Sequence, residues 1–128
     1  MPLNCHCIDL SNKKLTYLPD LSRFKNLKEL NCRDNHIIKL DNLPFNLEIL
    51  DCSGNNLTHL DNLSPNLKKL YCYSNQLTSL DNLPLNLEIV WCYCNKLNSL
   101  DNLPINLDTL HCSHNEITSL DNLPHNLK

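Results

Sequence analysis

From Leu27 onward the chain repeats every 20 residues, in five units spanning 27–46, 47–66, 67–86, 87–106 and 107–126. This period constrains the fold more than any other feature. A unit so short cannot bury its apolar side alone and must be covered by copies of itself. Two of the units read LEILDCSGNNLTHLDNLSPN and LKKLYCYSNQLTSLDNLPLN. With positions numbered 1 to 20 in each unit, Leu, Leu or Val, Cys, Asn, Leu or Ile, Leu and Leu hold positions 1, 4, 6, 9, 11, 14 and 17. Pro holds position 18 in four units, and Ser64 followed by Pro65 replaces it in the other. Upstream, Ile8, Leu10, Leu15 and Leu18 fit a degenerate unit, with 22 residues from Leu10 to Cys32 and Lys13 in place of the Asn. The chain therefore divides into a degenerate N-terminal repeat or cap over 1–26, five repeats over 27–126, and the truncated start of another at 127–128. The composition follows from the repeat: 29 Leu and 21 Asn, but one Gly, one Val and no Ala in 128 residues.

Around position 6 the apolar pattern alternates with period two over about five residues, which predicts a short strand. Positions 4 and 6 then point to one side, and positions 3, 5 and 7 to the other. Stacked units place about six such strands in a parallel sheet, spanning about 24 Å at roughly 4.8 Å per strand. Positions 10 to 20 are too few for a strand, two turns and a helix. They predict extended or short 3₁₀ structure on the convex side, with little or no α-helix.

The motif LxxLxCxxNxL resembles the leucine-rich-repeat signature, with Cys as the third apolar residue. The phrase LPxNLxxLxCSxNxLTSL is similar to the 20-residue bacterial-type repeats of YopM- and IpaH-type secreted effectors. LDNLPxNL is similar to repeat proteins of amoebal giant viruses. The resemblance covers about residues 5–128. It implies a right-handed leucine-rich-repeat solenoid with a parallel concave sheet, acting in a host cytoplasm on a host protein. Two departures stand out. Nothing here matches the ligase domain that follows the IpaH-type repeats, and residues 1–26 carry no amphipathic helical cap.

Three columns read first as scaffold. Cys32, Cys52, Cys72, Cys92 and Cys112 all hold position 6. A straight row of thiols does not converge on zinc, and parallel side chains rarely meet disulfide torsions. Small buried hydrophobes are the better reading, with reduced thiols and an intracellular, reducing compartment. Asn35, Asn55, Asn75, Asn95 and Asn115 predict an inward amide ladder serving backbone groups that the turn leaves unpaired. Asp41, Asp61, Asp81, Asp101 and Asp121 read as Asx-turns ahead of a cation-binding rail, because no Gly-bearing calcium loop accompanies them.

Function belongs where the repeat varies, at positions 3, 5, 7, 8 and 10. Tyr71, Tyr73, Trp91 and Tyr93 fall there in two adjacent units, flanked by Ile49 and Ile89. Arg33, Asp51 and Lys69 border them on one side and His111 on the other. An exposed patch of this make-up has the character of an interface centre. The expected function is a non-enzymatic module that binds a protein partner of unidentified kind on the concave face. The alternatives are a self-associating structural repeat or the recognition part of a larger assembly, with carbohydrate binding on the aromatic platform ranked below them.

Other classes find little support. A net charge of −3 leaves no basic groove for nucleic acid or an anionic membrane. No run of 18 apolar residues occurs, and Met1 to Leu15 lacks the pattern of a secretory signal. No cofactor or metal is expected. Cys94 and His114 share position 8 in adjacent units, but no orienting group or oxyanion hole accompanies them, so the pair reads as coincidence and Cys94 as an accessible thiol. At the C-terminal end Leu107, Leu110, Ile117 and Leu120 are expected to lack a covering neighbour, which points to a homodimer through that end or to a longer chain.

Overall fold

The computed structural model describes residues 2–128. Six strands, one per unit, form a single parallel sheet in chain order: β1 (Cys7–Asp9), β2 (Glu29–Asn31), β3 (Ile49–Asp51), β4 (Lys69–Tyr71), β5 (Ile89–Trp91) and β6 (Thr109–His111). The register never slips. Ile8, Leu30, Leu50, Leu70, Val90 and Leu110 face one another in turn at position 4. The 22-residue first spacing is therefore absorbed outside the sheet. Phe24, buried in the extra length, accepts the Leu27 N–H just as Pro84 and Pro104 accept those of Leu87 and Leu107. No described residue is helical, so the convex side is extended chain with isolated turns and the 3₁₀ alternative is not used.

Each strand is three residues long, shorter than the five expected. The ladder nevertheless continues past the regular segment. Cys52 N–H donates to Tyr71 O at 2.9 Å and Gly54 N–H to Tyr73 O at 3.0 Å, and equivalent bonds recur in the other units. The strand ends early because position 8 turns sharply. Asp34, Gly54, Ser74, Cys94 and His114 all adopt the left-handed conformation, with φ between 52° and 64°. A second left-handed corner stands at position 16, filled by Asn42, Asn62, Asn82, Asn102 and Asn122. Asn enters this region at less cost than other non-glycine residues, which accounts for a solenoid of many turns with a single Gly.

The position-15 Asp residues are a correction. None of Asp41, Asp61, Asp81, Asp101 or Asp121 accepts the N–H two residues on; the Asn beside each makes the corner with its own backbone. The carboxylates point outward, where Asp41 meets Lys39 at 3.7 Å and Asp61 meets His59 at 3.3 Å. The Asx-turns that do form start at Asp9, Asp20, Asn31 and Asp51.

The core is a stack of Leu columns with the position-6 thiols between them. Cys32, Cys52, Cys72 and Cys92 are completely buried and all eight cysteines are free. Burial pushes the thiols of Cys32 and Cys92 up to about 12, and those of Cys52 and Cys72 well above the usual range. The Asn ladder links the columns. Asn75 Nδ2 donates to Cys52 O at 3.0 Å, to Cys72 O at 3.1 Å and to Tyr73 O at 3.3 Å, while its Oδ1 accepts Leu57 N–H at 2.9 Å. Asn35 does the same for the degenerate unit, accepting both Lys13 N–H and Leu15 N–H at 3.0 Å. At the C-terminal end Leu107 is fully buried, contrary to expectation. Leu127 packs against the core beside it, and Lys128 N–H reaches Asp108 O at 2.9 Å. Leu110 and Ile117 are half-buried and Leu120 is exposed.

Candidate functional site

Strand alternation divides the concave face into three rows. Position 3 gives Cys7, Glu29, Ile49, Lys69, Ile89 and Thr109; position 5 gives Asp9, Asn31, Asp51, Tyr71, Trp91 and His111. Position 7 adds Arg33, Ser53, Tyr73, Tyr93 and Ser113 just beyond the strands. The inward residue of each strand is buried in β1 to β5, and its two neighbours are half-buried or exposed.

The parallel register brings the aromatic rings of adjacent units into contact. Tyr73 and Tyr93 stack with centroids 4.4 Å apart and planes 7° from parallel. Trp91 meets Tyr71 edge-on at 4.8 Å and His111 edge-on at 5.3 Å, and lies 6.5 Å from Tyr73. The cluster spans β4 to β6. Burial among the rings, and then the adjacent Tyr73 phenol, push the Tyr93 hydroxyl above its ordinary range. The indole N–H of Trp91 is covered by its surroundings yet has no hydrogen-bond partner among the described residues. Such an orphaned donor costs stability, and packing alone gives no reason for it.

The polar residues gather at the other end. Arg33 Nε donates to Asp34 Oδ2 at 2.9 Å. The Asp51 carboxylate accepts both the backbone N–H and the hydroxyl of Ser53. Ser53 is buried between Arg33 and Tyr73 in its row, whereas Ser113 in the equivalent place is exposed. Lys69 makes no ion pair among the described residues. Ile49 and Ile89 stand half-buried in the row beside the rings. All ten residues singled out from the sequence thus lie on one continuous face. The sequence reading left out Asp9, which the register aligns with Asn31 and Asp51; the 22-residue first spacing obscured that alignment. Cys94 and His114 are both exposed at left-handed corners, and the structure gives no hydrogen bond between them.

The geometry can be set beside known proteins. A family model described as "Leucine Rich repeats (2 copies)" matches residues 46–85. The Shigella effector LRR domain is 31% identical with a TM-score of 0.85, over 93% of this chain and 54% of that one. The fold is a leucine-rich-repeat solenoid. YopM from Yersinia enterocolitica WA-314 is 35% identical with a TM-score of 0.76, over 90% of this leucine-rich-repeat chain and 25% of that one. The solenoid thus spans about half the length of the first relative and a quarter of the second. No curated protein sequence matches it significantly. No helix among the described residues is long and apolar enough to cross a membrane.

Proposed function

We propose that this leucine-rich-repeat chain is a non-enzymatic protein-interaction module, and that its partner, a host protein, docks on the concave face over Tyr71, Tyr73, Trp91 and Tyr93. The observation that carries the reading is the ring cluster itself. Four half-buried aromatic side chains lie in contact on a face with no second layer of protein over it. Interface centres are enriched in Trp and Tyr, and in Arg such as Arg33 at the border. The orphaned indole N–H of Trp91 adds support, because folding alone would be served as well by Phe. A sugar platform fits less well, since Tyr73 and Tyr93 each give one ring face to the other. Ile49, Ile89, Asp51, Arg33, Lys69 and His111 frame the contact.

The test compares proteins retained from a host-cell lysate by wild type and by a Trp91→Ala/Tyr73→Ala variant. Circular dichroism and a urea transition establish that the variant is folded. The expected result is loss of specific retention, equivalent to about 2–4 kcal/mol of binding. A folded variant that retains the same proteins equally well removes the proposal.

A further inference from the structure

The rows of the concave face are not uniform from end to end. Along position 5, the register places Asp9, Asn31 and Asp51 over β1 to β3, then Tyr71, Trp91 and His111 over β4 to β6. Position 3 adds Glu29 and Ile49 to the first half, and Lys69, Ile89 and Thr109 to the second. Arg33 is taken up by Asp34 at 2.9 Å. The first half then keeps three carboxylates, those of Asp9, Glu29 and Asp51, with no ion pair to a basic side chain among the described residues, and Lys69 stands at its boundary. The Asp9 and Asp51 carboxylates bond to Ser11 and Ser53, which fixes their orientation without neutralising them. The second half carries no carboxylate in these rows.

We infer that the occupant is an extended segment of the partner protein, basic at one end and apolar at the other. Its basic end lies over β1–β3 and its apolar end over β4–β6. The inference rests on the concave-face reading above and deepens it. Attraction between a cationic segment and the Asp9, Glu29 and Asp51 carboxylates aligns the partner, and burial against Trp91 and Tyr93 holds it. Electrostatic complementarity of this kind fixes register and raises the association rate more than it adds affinity. A single extended chain laid along the position-5 row crosses one strand after another. From Asn31, midway along the acidic half, to Trp91 is three strand spacings, about 14 Å or four residues of extended chain. Lys or Arg is therefore expected about four residues from a Trp, Phe or Leu.

The probe is a random dodecapeptide library displayed on phage and panned against the full chain. Three proteins are used: wild type, Asp9→Asn/Glu29→Gln, and Trp91→Ala/Tyr73→Ala. Asp51 is left in place because Ser53 depends on it. The expected consensus has Lys or Arg at the stated spacing from an aromatic or aliphatic residue. A synthetic consensus peptide should bind the charge-removed protein about tenfold more weakly than wild type, should bind wild type more weakly as salt is raised with a smaller salt effect on the charge-removed protein, and should lose binding to the aromatic variant. A consensus without basic residues, or one rich in Asp and Glu, overturns the inference and leaves the concave-face reading standing. A consensus peptide that binds the folded aromatic variant normally overturns both. Failure to enrich any peptide on wild type counts against the inference, and the lysate comparison then decides the broader reading.

Discussion

At the level of single residues, the Asn at position 9 does the most with the fewest atoms. Its amide reaches three carbonyls and one N–H, drawn from its own unit and the one before. Asn75→Ala would leave Leu57 N–H without its side-chain partner in a buried setting, and Cys52 O with only the Asn55 amide. The expected cost is about 1–3 kcal/mol, read as a lower urea midpoint. Asn56→Ala, in the preceding repeat and exposed at position 10, should stay within about 0.5 kcal/mol. This ladder was legible in the sequence because a polar residue recurs at a fixed place inside an apolar frame, and buried backbone groups require such a partner. The acidic column at position 15 shows the opposite case. Its recurrence was equally plain, but recurrence does not say which of two adjacent polar residues makes the corner, and here Asn42 and its equivalents do.

At the level of the repeat unit, two left-handed corners set its shape. Position 16 looks uniform in sequence, since it is always Asn. Position 8 holds Asp, Gly, Ser, Cys and His, so its shared backbone could not be read from residue type; only a three-dimensional trace reveals it. Gly54 is a local adjustment within that column. A Cβ there would run into the Asp34 carboxylate and stand 3.3 Å from Asp34 N, in a conformation that L residues enter reluctantly. Gly54→Ala should cost about 1–2 kcal/mol by urea denaturation. In an Asp34→Ser background, where the obstructing carboxylate is gone, the cost should fall by about half. Equal penalties in the two backgrounds would assign the cost to backbone strain alone. The strand itself follows the same division. Its place and its facing were clear from alternation, whereas its length was not, because the corner at position 8 cuts it short.

For the whole molecule, the thiol column acts as one object running the length of the core. Cys32 and Cys92 rise from 9.0 to about 12 in the fold, and burial is the leading cause for all four central thiols. In the unfolded chain these groups ionise near their ordinary value; in the fold they stay protonated. Their stabilisation is thus complete below about pH 9 and is lost as pH rises toward 12. The urea midpoint should fall between pH 8 and pH 10.5, and a Cys52→Val/Cys72→Val protein should show a shallower fall. An identical slope in the two proteins would exclude the thiols as the source. The candidate site belongs to this scale as well. That its ten residues share one face was legible from strand alternation, and Tyr71, Tyr73, Trp91 and Tyr93 stood out as the Tyr and Trp in those columns. The ring contacts, the burial of Ser53 and the alignment of Asp9 were not, since each depends on how one unit sits on the next.

Strands pair only with those before and after them, and from β2 onward always with the same 20-residue offset. Every joint between the 20-residue units is therefore nearly the same joint. A block cut out at one boundary and spliced in at another meets the same Leu, Cys and Asn that it left. The concave surface can be rewritten by shuffling whole blocks, much as a line of type is reset, without renegotiating the interior. Inserting one copy of 47–66 after Asn66 would move Trp91 about 5 Å further from Asp9 and leave the core columns unbroken. A molecule built this way carries an adjustable rule: the distance between two side chains on its face is set by how many blocks separate them.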